Sequence, residues 1–244
     1  QPFGCILQDP DEEWLVAIHH WLSRTMNIIV FDPRNANQIG LPVVSVDRCI
    51  GSYQAMKLLH LVGCETVATL GISHKAGGTN RSAGLEAARN EFGIKIDSFD
   101  LTWNKTDFCS AGYWTTKQML ELSHPQAIFA INDYVAMGAM KAVRDMGMDV
   151  PNDISIIGFD NSLVTDYTTP RLTSVAQSVF EVTEKLFSCF DEMEESNTIN
   201  NNRFIVTTPT RLVIRESTPN INRHIREAIF AAEKNGHNHF SLLS

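Results

Sequence analysis

Three polar side chains stand where short apolar runs end and a fourth opens a helix, and their types would suit a ligand that both offers and accepts hydrogen bonds. The run Ile154–Ile157 is entered through the turn Pro151-Asn152-Asp153 and leaves through Gly158-Phe159-Asp160-Asn161. It reads as a buried strand with a carboxylate and an amide at its carboxyl end. Ligands of open α/β sheets bind beyond those ends, so Asp160 is placed to accept from hydroxyls, or else caps a turn. Asp47 closes the run LPVVSVD in the same way, and its alternative is to cap the helix that follows. Arg81, in NRSAGLEAA, opens a helix where a cation opposes the helix dipole. A purpose beyond helix stability is therefore expected: its planar fork can donate paired bonds to vicinal hydroxyls or a carboxylate. Surface exposure is the plain alternative. In IFAINDYVAMGAM, Asn132 closes a strand and can donate and accept at once, while Asp133 reads as the helix cap.

The elements that must carry these residues alternate along the chain. Strands are expected at 4–7, 27–31, 41–47, 66–71, 95–101, 127–131 and 154–157. Helices are expected at 11–24, 52–61, 81–92, 112–122 and 133–145, several closed by glycine (Gly63, Gly93, Gly147). Such alternation predicts parallel sheets with helices on both faces. His19-His20 point about 100° apart on a helix and make a poor metal pair. The polar run 191–202 reads as a solvated helix end and loop.

Length and charge narrow the function classes. A chain of 244 residues can hold one two-lobed unit or two small domains. No apolar run is long enough to cross a bilayer, so a soluble protein without a membrane partner is expected. A formal charge of −8 argues against this piece gripping a phosphate backbone. The five cysteines are scattered and lack metal spacing, which fits reduced thiols in a cytoplasmic protein. No secretory signal is seen, although the chain opens on Gln1 rather than Met, which weakens inference from that absence. There is no G-x-S-x-G, H-E-x-x-H or Walker-type loop, and no enzyme, metal or cofactor is expected. Gly77-Gly78-Thr79-Asn80 could cradle an anion at a helix start, but two glycines are a weak signal.

The ordered motif P-x-D-I-S-I-I-G-F-D-N, followed about ten residues on by P-x-L-T-S-V-x-Q, resembles the lactose/galactose-repressor family of bacterial transcription regulators. The resemblance implies a two-lobed α/β fold like that of periplasmic sugar-binding proteins. It runs from Gly4 to about Ser217 and begins at the family's second strand, with the opening strand and helix and the helix-turn-helix headpiece missing. It implies a first lobe of residues 1–63 plus 178–202, a second of 64–177 plus 203–217, and three hinge crossings.

In that family the positions of Asp47, Arg81 (R-x-x-G with Gly84), Asn132 and Asp160 reach the effector. Phe108 aligns with an aromatic that packs flat on it, although the spacing to Gly112 is one residue short and a core phenylalanine is as compatible. Gln177, at a crossover, either reaches the ligand or satisfies hinge backbone. This donor–acceptor set suits a sugar more than a nucleobase, since each buried hydroxyl left unpaired costs about 1–3 kcal/mol. The resemblance further implies a homodimer that meets operator DNA through a separate domain. A periplasmic sugar-binding protein of a transport system is the alternative. The tail 218–244 is expected to be helical. It reads either as a docking or oligomerisation helix or, since INRHIREAIF…HFSLLS is similar to the opening helix of arabinose-regulator-type DNA-binding domains, as the start of a further domain in the manner of xylose-type regulators.

Overall fold

The computed structural model describes residues 4–8, 26–33, 40–72, 80–102, 107–195, 204–227 and 229. The expected helix at 11–24, with His19 and His20, and the glycine pair 77–78 lie outside the described residues. The chain divides into two compact units, the first of Gln1–Asp47 with Gln177–Thr210 and the second of Arg48–Ala176 with Arg211–Ser244.

The first unit carries strands β1 (Gly4–Gln8), β2 (Asn27–Phe31), β3 (Val43–Asp47) and β9 (Ile205–Val213). They pair in parallel in the order β1-β2-β3-β9. Neighbouring residues of one strand serve opposite faces. Ile29, Val44 and Val46 pack with Val182, Leu186, Cys189, Phe190 and Met193 of a helix, Val179–Glu195, while Ile28, Val30, Leu41 and Val43 form the other cluster.

The second unit is the larger. Strands β4 (Thr66–Leu70), β5 (Lys95–Phe99), β6 (Ala127–Ala130), β7 (Ser155–Asp160) and β8 (Thr173–Gln177) form a parallel sheet in the order β5-β4-β6-β7-β8. Among the described residues it is covered by α1 (Arg48–Leu61), α2 (Asn80–Phe92), α3 (Phe108–Leu122) and α4 (Asp133–Asp145); Val179–Glu195 of the first unit is α5. Parallel strands buried on both faces read as unbroken apolar runs, and β6 (AIFA) is buried at every residue. One face packs Phe129, Ile157 and Phe159 with Met56, Leu58 and Leu59 of α1 and Leu85 and Ala88 of α2. The other packs Ile128 and Ile156 with Met119 of α3 and Val135, Ala139 and Met140 of α4.

Two boundaries differ from the sequence-based expectation. Residues 48–63 belong with the second unit rather than the first, because α1 contributes Met56, Leu58 and Leu59 to the second unit's core. Residues 203–217 do not all belong to the second lobe, because β9 pairs with β3 from Val43↔Ile205 to Asp47↔Pro209 and only residues after Thr210 return. Ser217 then closes the second sheet: its main-chain carbonyl accepts from Ile156 N at 2.9 Å and its hydroxyl from Thr173 N at 2.8 Å. The tail begins as a docked segment. Ile229 is buried in the same cluster as Leu58 and Leu85, and Ile221 and Ile225 pack against it.

Gly84 is what lets α2 sit against α1, since a Cβ there would lie 2.1 Å from the carbonyl oxygen of Cys49. In an exposed helix, glycine to alanine gains about 1 kcal/mol. Gly84→Ala is expected instead to lower stability by about 1–3 kcal/mol through overpacking. Chemical denaturation decides the sign; a stabilised variant would contradict the close helix contact.

Candidate ligand-binding site at the strand ends

The strand order of the second unit reverses at β4, which is flanked by β5 on one side and β6 on the other. The crevice outside the carboxyl ends at such a reversal is where open parallel sheets bind ligands. Three of the sequence-predicted residues lie at or just past strand ends: Asn132 two residues beyond β6, Asp160 at the end of β7 and Gln177 at the end of β8. Asp160 pairs with Ala176, one residue before Gln177.

Arg81 lies in the first turn of α2, and its guanidinium carbon is 4.2 Å from the centroid of the Phe159 ring. Phe159 is fully buried and packs on Phe129 at 6.3 Å between centroids. A guanidinium this close to an aromatic face gains about 0.5–2 kcal/mol from cation–π attraction. Sequence reasoning missed Phe159. The signal was strand parity: Phe159 faces the same side as Ile157, the side that α2 covers.

Asp160 is exposed at the end of β7 and has φ +97°; Asn161 follows with φ +51°. Both lie in the left-handed region, which costs side-chain-bearing residues of order 1–3 kcal/mol each and persists only where the surroundings enforce it. The Asn161 amide donates to Ser174 Oγ at 3.0 Å. Its side-chain oxygen is buried and meets no hydrogen-bond donor among the described residues.

Asn132, and not Asp133, caps α4: its Oδ1 accepts from Val135 N at 2.9 Å. What Asn132 can still offer a ligand is therefore its NH2 group. Asp133 turns inward, is wholly buried, and accepts from Ser162 N at 2.7 Å, Ser162 Oγ at 2.9 Å and Ser174 Oγ at 2.6 Å. Burial pushes its carboxyl above the usual range; the serine donors oppose this and the Asp160 charge adds to it. With the folded-state value raised, the group favours folding at acid pH, and that contribution is lost as pH rises through it.

Phe108 is 44% exposed as the first residue of α3, so it is not a core residue. Asp107 caps that helix by accepting from Ser110 N at 3.0 Å. Gln177 ends β8 and is half-buried. Asp47 ends β3 in the first unit, where its carbonyl accepts from Thr210 Oγ1 at 2.7 Å. A depression of about 630 Å3 is lined by first-unit residues such as Phe180, Phe187 and Pro209 and gathers none of these side chains. All five cysteines are free, and burial pushes the thiols of Cys64, Cys109 and Cys189 up, away from the reactive thiolate. Among the described residues no helix is long and apolar enough to cross a membrane, and no group of three or more His, Cys, Asp or Glu could hold a metal.

Residues 56–218, more than half of the chain, match the family described as periplasmic binding protein-like domain. The chain belongs to that family. The strand-end motif that resembles the lactose-repressor type lies inside that match. It is 31% identical over 183 residues to the HTH-type transcriptional regulator DegA of Bacillus subtilis, covering 75% of this chain and 53% of that protein. To the HTH-type transcriptional repressor CytR of Escherichia coli it is 30% identical over 186 residues, with the same coverage. The chain thus spans about half the length of these two curated relatives, a transcriptional regulator and a transcriptional repressor. A solved LacI-family transcriptional regulator from Enterococcus faecium, with bound ribose, superposes with a TM-score of 0.75 at 23% identity, covering 90% of this chain and 80% of that one. That likeness shows the fold.

The cap assignment separates two roles of Asn132. Asn132→Asp keeps a capping oxygen and is expected to hold stability within about 0.5 kcal/mol, whereas Asn132→Ala loses about 1 kcal/mol. Denaturant midpoints check both; equal stability of the two variants would show that the cap bond contributes nothing.

Proposed function

We propose that this chain is the effector-sensing part of a bacterial transcription regulator and that its effector is a sugar. The observation that carries the reading is the group at the strand ends of the second unit: the Arg81 guanidinium over the Phe159 ring, with Asp160 next in sequence and Asn132 just beyond the neighbouring strand. A guanidinium, a carboxylate and an amide NH2 together offer donors and acceptors to adjacent hydroxyls on one ring. Phe108 supplies an exposed aromatic face for the ring's C–H side. A nucleobase would use the stacking face but fewer of the polar groups.

The regulator reading is supported by the named relatives. Operator DNA is met by a separate domain, since a charge of −8 does not suit a phosphate backbone. The protein acts as a cytoplasmic homodimer. Effector binding shifts operator affinity only as far as the sugar prefers one arrangement of the protein over another, typically about 1–3 kcal/mol of coupling.

Arg81→Ala and Asp160→Ala are each expected to abolish the thermal stabilisation that a bound sugar gives, while both variants still unfold cooperatively. Differential scanning fluorimetry against pentoses and hexoses reads this directly. If both variants shift like the unaltered protein, the assigned residues do not bind the sugar.

A further inference from the structure

The strand-end carboxylate and amide are held in place from behind. Asp160 and Asn161 both have positive φ, a conformation that needs enforcement. Four bonds anchor the turn that follows. Ser162 donates its main-chain N–H and its hydroxyl to one oxygen of the buried Asp133 carboxylate, at 2.7 and 2.9 Å. The other oxygen accepts from Ser174 Oγ at 2.6 Å, and Ser174 Oγ in turn accepts from Asn161 N at 3.0 Å. The carboxylate reaches this place because residue 158 is glycine: a Cβ there would lie 2.3 Å from Asp133 Oδ1. One carboxylate on α4 therefore links the end of β7, strand β8 and the turn after β7.

We propose that Asp133 is a positioning residue of the ligand site: through Ser162 and Ser174 it holds the left-handed backbone of Asp160 and Asn161, and so aims the Asp160 carboxylate and the buried Asn161 side-chain oxygen. The proposal rests on the reading of Asp160 as a sugar-binding residue and goes beyond it. Asp133 touches no ligand; it sets the direction of the residues that do. It also makes Asn161 a binding residue, because the Asn161 side-chain oxygen is a buried acceptor that a ligand hydroxyl can serve.

The test has one arm that needs no ligand. Asn161 and Ser162 amides both donate into the network, so their hydrogen exchange reports on it by NMR. In Asp133→Asn, which keeps the shape and removes the charge, both amides are expected to exchange at least about tenfold faster, the loss of roughly one hydrogen bond each. Ser174→Ala is expected to release Asn161 alone and leave Ser162 protected. In both variants the amides of Ile156 and Phe159, inside β7, stay at the unaltered rate. Unchanged exchange at Asn161, or acceleration of the whole strand to the same degree, overturns the positioning role.

The second arm is calorimetric titration with D-ribose, D-xylose, D-glucose and D-galactose. Whichever of these binds the unaltered protein is expected to bind Asp133→Asn at least about tenfold more weakly, with Asp160 and Arg81 intact. Undiminished binding overturns the proposal. If none of the four binds the unaltered protein while the exchange pattern is as expected, the network stands as described and the sugar reading is what fails.

Discussion

Asp133 has no exposed surface, and its carboxylate accepts from two serines, one on β8 and one in the turn beyond β7. Taking an ionised carboxylate out of water is expensive unless its oxygens are bonded, and here both are. What the arrangement gains is a fixed geometry. The turn cannot slide along the strand, so the two residues before it keep a left-handed backbone that side chains otherwise avoid. The glycine at 158 is part of the same constraint, because any larger residue would occupy the space of the carboxylate.

Around that point the rest of the second unit is a platform. Parallel strands with all-apolar interiors set the register, and the register sets which polar residues stand at the carboxyl ends. Arg81 arrives from a helix whose approach depends on Gly84, and it rests on Phe159, the residue before Asp160. The aromatic core thus supports the charged group directly. The tail residues Ile221, Ile225 and Ile229 pack into the same core, so the segment beyond the family match is anchored on the second unit.

Much of this was readable from residue order. Strand β2 and helix α4 have the limits that apolar spacing and Gly147 suggested, and the strand ends carrying Asp47, Asn132 and Asp160 follow from runs bounded by turns. The lobe boundaries were not, because an apolar helix such as Arg48–Leu61 can serve either sheet, and which one it joins is decided by a partner, α2, that lies across the sheet face. Asn132 and Asp133 were interchanged for a similar reason. Either side chain can cap a helix start, and only the presence of Ser162 and Ser174, 29 and 41 residues away, selects Asp133 for the interior. Phe108 could be core or surface on spacing alone; the cap at Asp107 turns it outward.

The central claim is that a sugar is held at the strand ends of the second unit. Amide shift mapping of the isotope-labelled protein, titrated with the sugar that stabilises it, tests this most directly. The account predicts that the largest changes fall on Asn132, on Asp160 through Ser162, and on the first turn of α2 including the Arg81 side chain. Changes centred instead on the depression beside Phe180 and Phe187, with the strand ends unmoved, would contradict it.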